Sequence, residues 1–147
     1  MPALLGRLAA DSARSVTAKA DLTGLSFALD ANKAYAFEFV LRTTANAATV
    51  GVQFALTFGG TINRLDCHLT YFSAVNTYDV IAITGATASP QNLNPINSQG
   101  NVVREYRVVG FIEVGATGGQ LQLQHGSETA SLTTVQRGSW GVATEIA

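Results

Sequence analysis

The chain is short of charge. Lysine, arginine, aspartate and glutamate make up 13% of its 147 residues, against about 25% in an ordinary soluble domain. Nine basic and ten acidic residues leave a formal net charge of −1, and they are scattered along the chain. Neutralising a phosphate backbone takes clustered Lys and Arg, so nucleic acid is excluded as a partner. Cysteine is nearly absent: Cys67 stands alone, which rules out an intramolecular disulfide. Long apolar runs are missing as well. Arg7 and Asp11 interrupt the apolar N-terminal residues before they form a secretory h-region. Nothing approaches the roughly 20 apolar residues of a membrane-spanning helix. The expectation is a chain with no membrane partner and no secretion address of its own.

Catalytic groupings are also missing. Cys67 and His68 are adjacent, but neighbours in a strand point to opposite faces and do not share a proton. His125 is distant in sequence, and Cys67 reads better as a small core residue. Two histidines and one cysteine show no ligand spacing for a metal. Asp30, Glu38, Asp66, Asp79, Glu105, Glu113 and Glu128 are scattered singly, the pattern of solvated positions and strand–strand ion pairs. The run Gly115-Ala116-Thr117-Gly118-Gly119 lacks the lysine and following helix of a phosphate loop, and reads as a hairpin turn. The sequence therefore nominates no catalytic residue, no metal ligand and no cofactor.

What is present is apolar alternation. Hydrophobic residues make up 47% of the chain and mean hydropathy is +0.21. Tyr35, Phe37, Phe39 and Leu41 fall on one face of a strand, and Val50, Val52, Phe54, Leu56 and Phe58 do the same in the next. Joined by the polar Thr43–Ala48 connection, the two read as an antiparallel pair covering one side of a β-sandwich core. Further strands are expected at Ser15–Ala20, Leu22–Leu29 with a bulge at Gly24, Leu65–Tyr71, Tyr78–Thr84, Val102–Val114, around Leu121 and Leu123, Ser131–Gln136 and Ser139–Thr144. That makes nine or ten short strands in one antiparallel all-β domain over 14–147, of a size that buries roughly 70% of its unfolded surface. Residues 1–13 stand apart as an N-terminal arm, with Leu4, Leu5 and Leu8 at helical spacing. The stretch 85–101 is the longest irregular segment, a candidate functional loop.

Such apolarity in a small monomer exposes too much greasy surface for comfortable solubility, so burial between subunits is expected. Val102–Val103 and Val108–Val109 are apolar on both faces, as in a strand covered twice. Tyr71, Phe72, Val103 and Val109 are the candidate subunit contacts, with Tyr78 completing an aromatic edge around the 73–77 loop. Leu4, Leu5 and Leu8 are the candidate docking arm. Gln120, Gln122 and Gln124 form an outward polar row, a candidate ligand contact or a solvated face. Trp140 reads as an anchor at the end of the fold.

Three strings carry a resemblance: Gly24–Leu29, Tyr35–Phe39 and Thr49–Phe54. Gly110–Val114, Gly119–Gln124, Ser127–Thr129 and Val135–Trp140 continue it. Their order over about residues 22–143 resembles small virion structural proteins of tailed bacteriophages, of the head-decoration and tail-fibre kinds. These are similar to the trimeric jelly rolls of the C1q and tumour-necrosis-factor type. The resemblance implies a jelly-roll-like sandwich, a homotrimer and a place in the virion, and brings no catalytic residues. Fibre heads usually follow a long trimeric shaft, and only about 13 residues precede the first strand here. The resemblance therefore points first to a non-enzymatic capsid decoration, or cement, protein. It would be made in the host cytoplasm, bind the major capsid protein outside the head and stabilise the shell. The alternatives are a tail-fibre or tail-tip module recognising a host glycan or protein, through the 85–101 loop or the glutamine row, and a glycan hydrolase. The last would need paired carboxylates about 5–9 Å apart, and the sequence offers no pair.

Overall fold

The computed structural model of the chain describes residues 2–74, 77–95 and 102–147. Among these residues every helix or strand is a strand, and no helix is long and apolar enough to cross a membrane. In chain order the strands are β1 (Leu4–Arg7), β2 (Ser12–Arg14), β3 (Ala20–Leu29), β4 (Ala34–Ala45), β5 (Val52–Phe58) and β6 (Ile62–Ala74). They continue with β7 (Thr77–Ala86), β8 (Gln91–Leu93), β9 (Arg104–Val114), β10 (Gly119–Ser127), β11 (Thr133–Val135) and β12 (Trp140–Glu145).

Two antiparallel sheets face each other. The large sheet runs β1-β12-β4-β9-β6-β7. Beyond the end of β12, β11 takes over the same edge of β4 and carries β2 outside it. The small sheet runs β3-β10-β5-β8. From β3 onward the chain crosses between sheets at nearly every connection, and β6–β7 is a hairpin within one sheet. The all-β sandwich expected from the alternation, jelly-roll-like as the resemblance implies, is therefore what the chain forms.

The core lies where the two inward rows meet. Phe37, Phe39 and Leu41 from β4 and Phe54, Leu56 and Phe58 from β5 point inward from opposite sheets into one core, and all are buried. Phe27 stacks on Phe39 with centroids 5.3 Å apart, and Tyr106 lies between Phe54 (5.5 Å) and Tyr71 (5.7 Å). Burying each such large side chain contributes about 1.5–3 kcal/mol. The two strongest strands, expected to be paired, lie in opposite sheets: the 43–48 connection crosses the sandwich. Likewise the 115–119 turn is not a hairpin, because β9 belongs to the large sheet and β10 to the small one. Alternation tells which face is apolar but not which sheet a strand joins.

The N-terminal segment, over its described residues 2–13, joins the large sheet. Leu4–Arg7 pairs with Trp140–Ala143, and Ser12–Arg14 pairs with Thr133–Val135. Leucines read at helical spacing instead obey the strand period: Leu4 packs on the core, Leu5 points out and Leu8 is buried beyond the strand's end. Residues 15–19 form no strand; the Arg14 side chain donates to the Ala18 carbonyl at 3.0 Å and folds this segment into a bend.

Two local devices hold the sandwich end together. Gly24 has φ +97° and lies in a bulge where β3 slips against β10. A Cβ at Gly24 would sit 2.4 Å from the Arg7 carbonyl oxygen, and one at Gly6 would sit 2.6 Å from the Gly24 carbonyl oxygen. Only paired glycines let β1 cross β3 so closely. The second device is the Gly138-Ser139 step between β11 and β12. The buried Ser139 hydroxyl accepts from the Arg42 amide (3.1 Å) and donates to the Gln136 carbonyl (2.8 Å), filling the gap where β4 changes partner.

Candidate functional site

Strand alternation gives each sheet an outer face, and the two faces differ in chemistry. The small sheet presents polar rows: Ser26-Gln122-Thr57 and Asp21-Gln124-Ala55-Asn92. Many of these groups bond one another. Gln122 Nε2 donates to the carbonyls of Leu22 and Leu25 (both 3.2 Å) and Leu123 (2.7 Å), clamping the β3 bulge. Gln124 Nε2 donates to Asp21 Oδ1 at 2.8 Å, and Lys19 Nζ to Asn92 Oδ1 at 3.1 Å. Gln120 is exposed.

The large sheet presents mixed rows, in which large apolar side chains stand among charged and polar ones. Register across it places Arg7, Trp140, Val40, Arg107, Thr70 and Val80 side by side. The next row reads Leu5, Val142, Glu38, Val109, His68 and Ala82. Beyond it lie Thr144, Ala36, Phe111 and Asp66. Leu5 is 80% exposed, Val80 56% and Trp140 41%. Phe72 and Tyr78 extend the surface at one end, their rings edge-to-face at 5.1 Å. Four of the charges on it pair within the surface, Arg107 Nη2 with Glu38 Oε1 and Arg64 Nε with Asp66 Oδ2 at 2.6 Å, while Arg7 is exposed at its edge. The Gly85 amide, with Arg64 assisting, holds the Asp66 carboxyl below its ordinary range. Val109 forms a ridge between two shallow hollows. One of about 260 Å³ is bounded by Asp66, His68, Ala82 and Thr84, and one of about 240 Å³ by Ala36, Glu38, Val142 and Thr144.

The proposed subunit contacts divide accordingly. Phe72, Val103 and Val109 lie on or beside this surface, with Phe72 and Val103 exposed. Tyr71 does not: it is buried against Tyr106, because Thr70 and Phe72 on either side take the outward positions. Of the three leucines assigned to a docking arm, Leu5 alone projects from the surface. The 85–101 loop contributes β8 and is tied to β5 by the Ser89 hydroxyl, which accepts from the Phe58 amide at 2.8 Å. Residues 96–101, and 75–76 of the 73–77 loop, lie outside the described residues.

The reactive side chains are placed for packing. Cys67 is in the core, where burial pushes its thiol up to about 12, while His68 points out from the next position. A thiol so protonated is a poor nucleophile at neutral pH. His125 is fully buried on β10, its Nε2 2.9 Å from Thr133 Oγ1 on β11, so that it braces one sheet to the other. Burial, with the Arg14 charge, lowers its pKa to about 4. Among the described residues no three His, Cys, Asp or Glu side chains gather to hold a metal. A hollow of about 470 Å³ at the end of β4 and β9 is bordered by Lys33, Asn63 and Glu113. Lys33 there is paired with Glu145 at 2.6 Å.

The apolar surface is hard to find in the sequence because its residues come from six strands, and each strand's outward set is short. The legible signals are the doubly apolar Val108–Val109 step, the Phe72–Tyr78 aromatic edge and Leu5.

No family model matches the chain, and no curated protein does. Solved structures resemble it distantly. TmCBM61, in complex with β-1,4-galactotriose, is 10% identical with TM-score 0.42, over 87% of this chain and 88% of that one. The CBM22-1–GH10 modules of a Clostridium thermocellum endo-1,4-β-D-xylanase are 9% identical with TM-score 0.29, over 81% of this chain and 18% of that one. The infectious bursal disease virus VP2 subviral particle is 11% identical with TM-score 0.27, over 99% of this chain and 41% of that one. Likenesses this faint carry no argument about function, and the fold rests on the strand pairing itself.

Proposed function

We propose that the chain is a non-enzymatic structural protein of a virion, a decoration protein that binds the outside of a phage head and stabilises the shell. The observation that carries its assembling role is the contrast between the two outer faces. One sandwich with 13% charged residues keeps a polar, internally bonded surface on the small sheet, and on the large sheet one where Leu5, Trp140, Val80, Phe72 and Tyr78 are exposed beside two built-in ion pairs. Large apolar side chains gathered on one face mark an interaction site. Placement in a virion comes from the order of motifs resembling phage structural proteins. Many copies of a modest contact hold a shell through multivalency.

The glycan-recognition reading draws less support, since the amides of Gln122 and Gln124 are engaged within the small sheet. Mixing purified protein with undecorated phage shells at micromolar concentration tests the proposal. Saturable co-sedimentation and greater resistance of the shells to heating are expected; shells that pellet without the protein contradict it.

A further inference from the structure

We infer that the outer face of the large sheet is the surface on which this chain meets another copy of itself. This deepens the self-assembling part of the proposed function by naming the partner and the contact, and it rests on that part.

Area gives the first reason. Six strands spaced about 4.8 Å apart, with about 20 Å of paired length along β4, span roughly 600 Å² on each copy. Two such faces bury about 1,200 Å², within the range of specific protein interfaces. The flatness of the sheet favours another sheet as the occupant, since sheets pack face to face through interdigitating side chains.

Charge gives the second. A face of one sign repels its own copy, whereas this one pairs Arg107 with Glu38 and Arg64 with Asp66 inside its border. Arg42 stands opposite Glu105 at its rim. A partner chosen by electrostatic contrast, such as a polyanion or an acidic protein, finds little to recognise beyond Arg7 at the edge; a second copy meets mostly paired charges.

Shape gives the third. The Val109 ridge and the hollows on either side of it, of about 260 and 240 Å³, lie on the same surface. A second copy can therefore seat its ridge in a recess of the first. The smaller hollow is bounded by Ala36 and Thr144, small side chains where larger ones would fill it.

Sedimentation equilibrium of the full chain over a wide concentration range tests this, with Val109→Asp, Val80→Lys and, on the small sheet, Gln120→Lys. The wild type and Gln120→Lys should sediment at a multiple of the 15.4 kDa chain mass. Val109→Asp and Val80→Lys should weaken association by about tenfold or more. Val80 is 56% exposed, so its variant folds even where Val109→Asp does not, and circular dichroism checks both. A wild type that stays a single chain at high micromolar concentration overturns the inference. So do face variants that keep the wild-type mass, including any that keep it while losing shell binding, which would assign the face to another virion protein. Failure of the wild type to bind shells, with self-association intact and face-dependent, would refute the decoration reading and leave this inference standing.

Discussion

His125 shows how a single residue can hold chemistry back. Its imidazole joins β10 to β11 through Thr133 while remaining neutral, with a pKa near 4 in the fold against an ordinary value of about 6.5. The unfolded chain therefore binds a proton that the native chain refuses as pH falls through this window. Stability due to the neutral imidazole is complete above about pH 6.5 and is lost progressively toward pH 4, by about 3 kcal/mol in all. Urea unfolding across that range should show the decline, and His125→Gln should flatten it. An unchanged pH profile in the variant would mean that other groups carry the titration. Asp66, with its lowered pKa, adds stability above the usual carboxylate range and loses it only at lower pH.

At the scale of elements, the Gly138-Ser139 step decides where one strand ends and the next begins. Ser139→Ala removes the acceptor for the Arg42 amide and the donor for the Gln136 carbonyl. Leaving such a buried amide unsatisfied costs about 1–3 kcal/mol, so the midpoint of denaturant unfolding should fall with little change in slope. A variant as stable as the wild type would show that the step is held by its backbone alone. The Gly-Ser pair is visible in the sequence as part of the closing motif, but its role depends on Arg42, a residue of another strand. The same holds elsewhere. Phe37, Phe39, Phe54 and Leu56 are legible as inward positions because period two is a local property. Their assignment to opposite sheets is not legible, because it depends on crossings such as 43–48 and 115–119. Leu4, Leu5 and Leu8 satisfy helical and strand periods about equally well over so few residues. Pairing with β12 decides between them. The 71–72 step shows the other side of this limit: Phe72 and Tyr71 look alike in the sequence, and one residue of phase sends one outward and the other to Tyr106.

For the molecule as a whole, composition and architecture converge on one property. A chain with few charges makes a sandwich of two unlike outer faces, one polar with many of its groups bonded to each other and one exposing large apolar side chains among charges that are mostly paired. The first suits solvent and the second suits another sheet. The low charge is plain from composition, whereas the face it serves emerges only when six strands lie side by side. Trp140, the one tryptophan of the chain, stands on that face at 41% exposure, so its fluorescence reports on the face alone. The most direct measurement is acrylamide quenching of Trp140 during dilution, followed alongside the sedimentation mass. The account predicts that Trp140 is protected while the chain is associated and becomes quenchable as the mass falls to a single chain. Equal quenching in the associated and single-chain forms would contradict it, because the copies would then meet through some other surface.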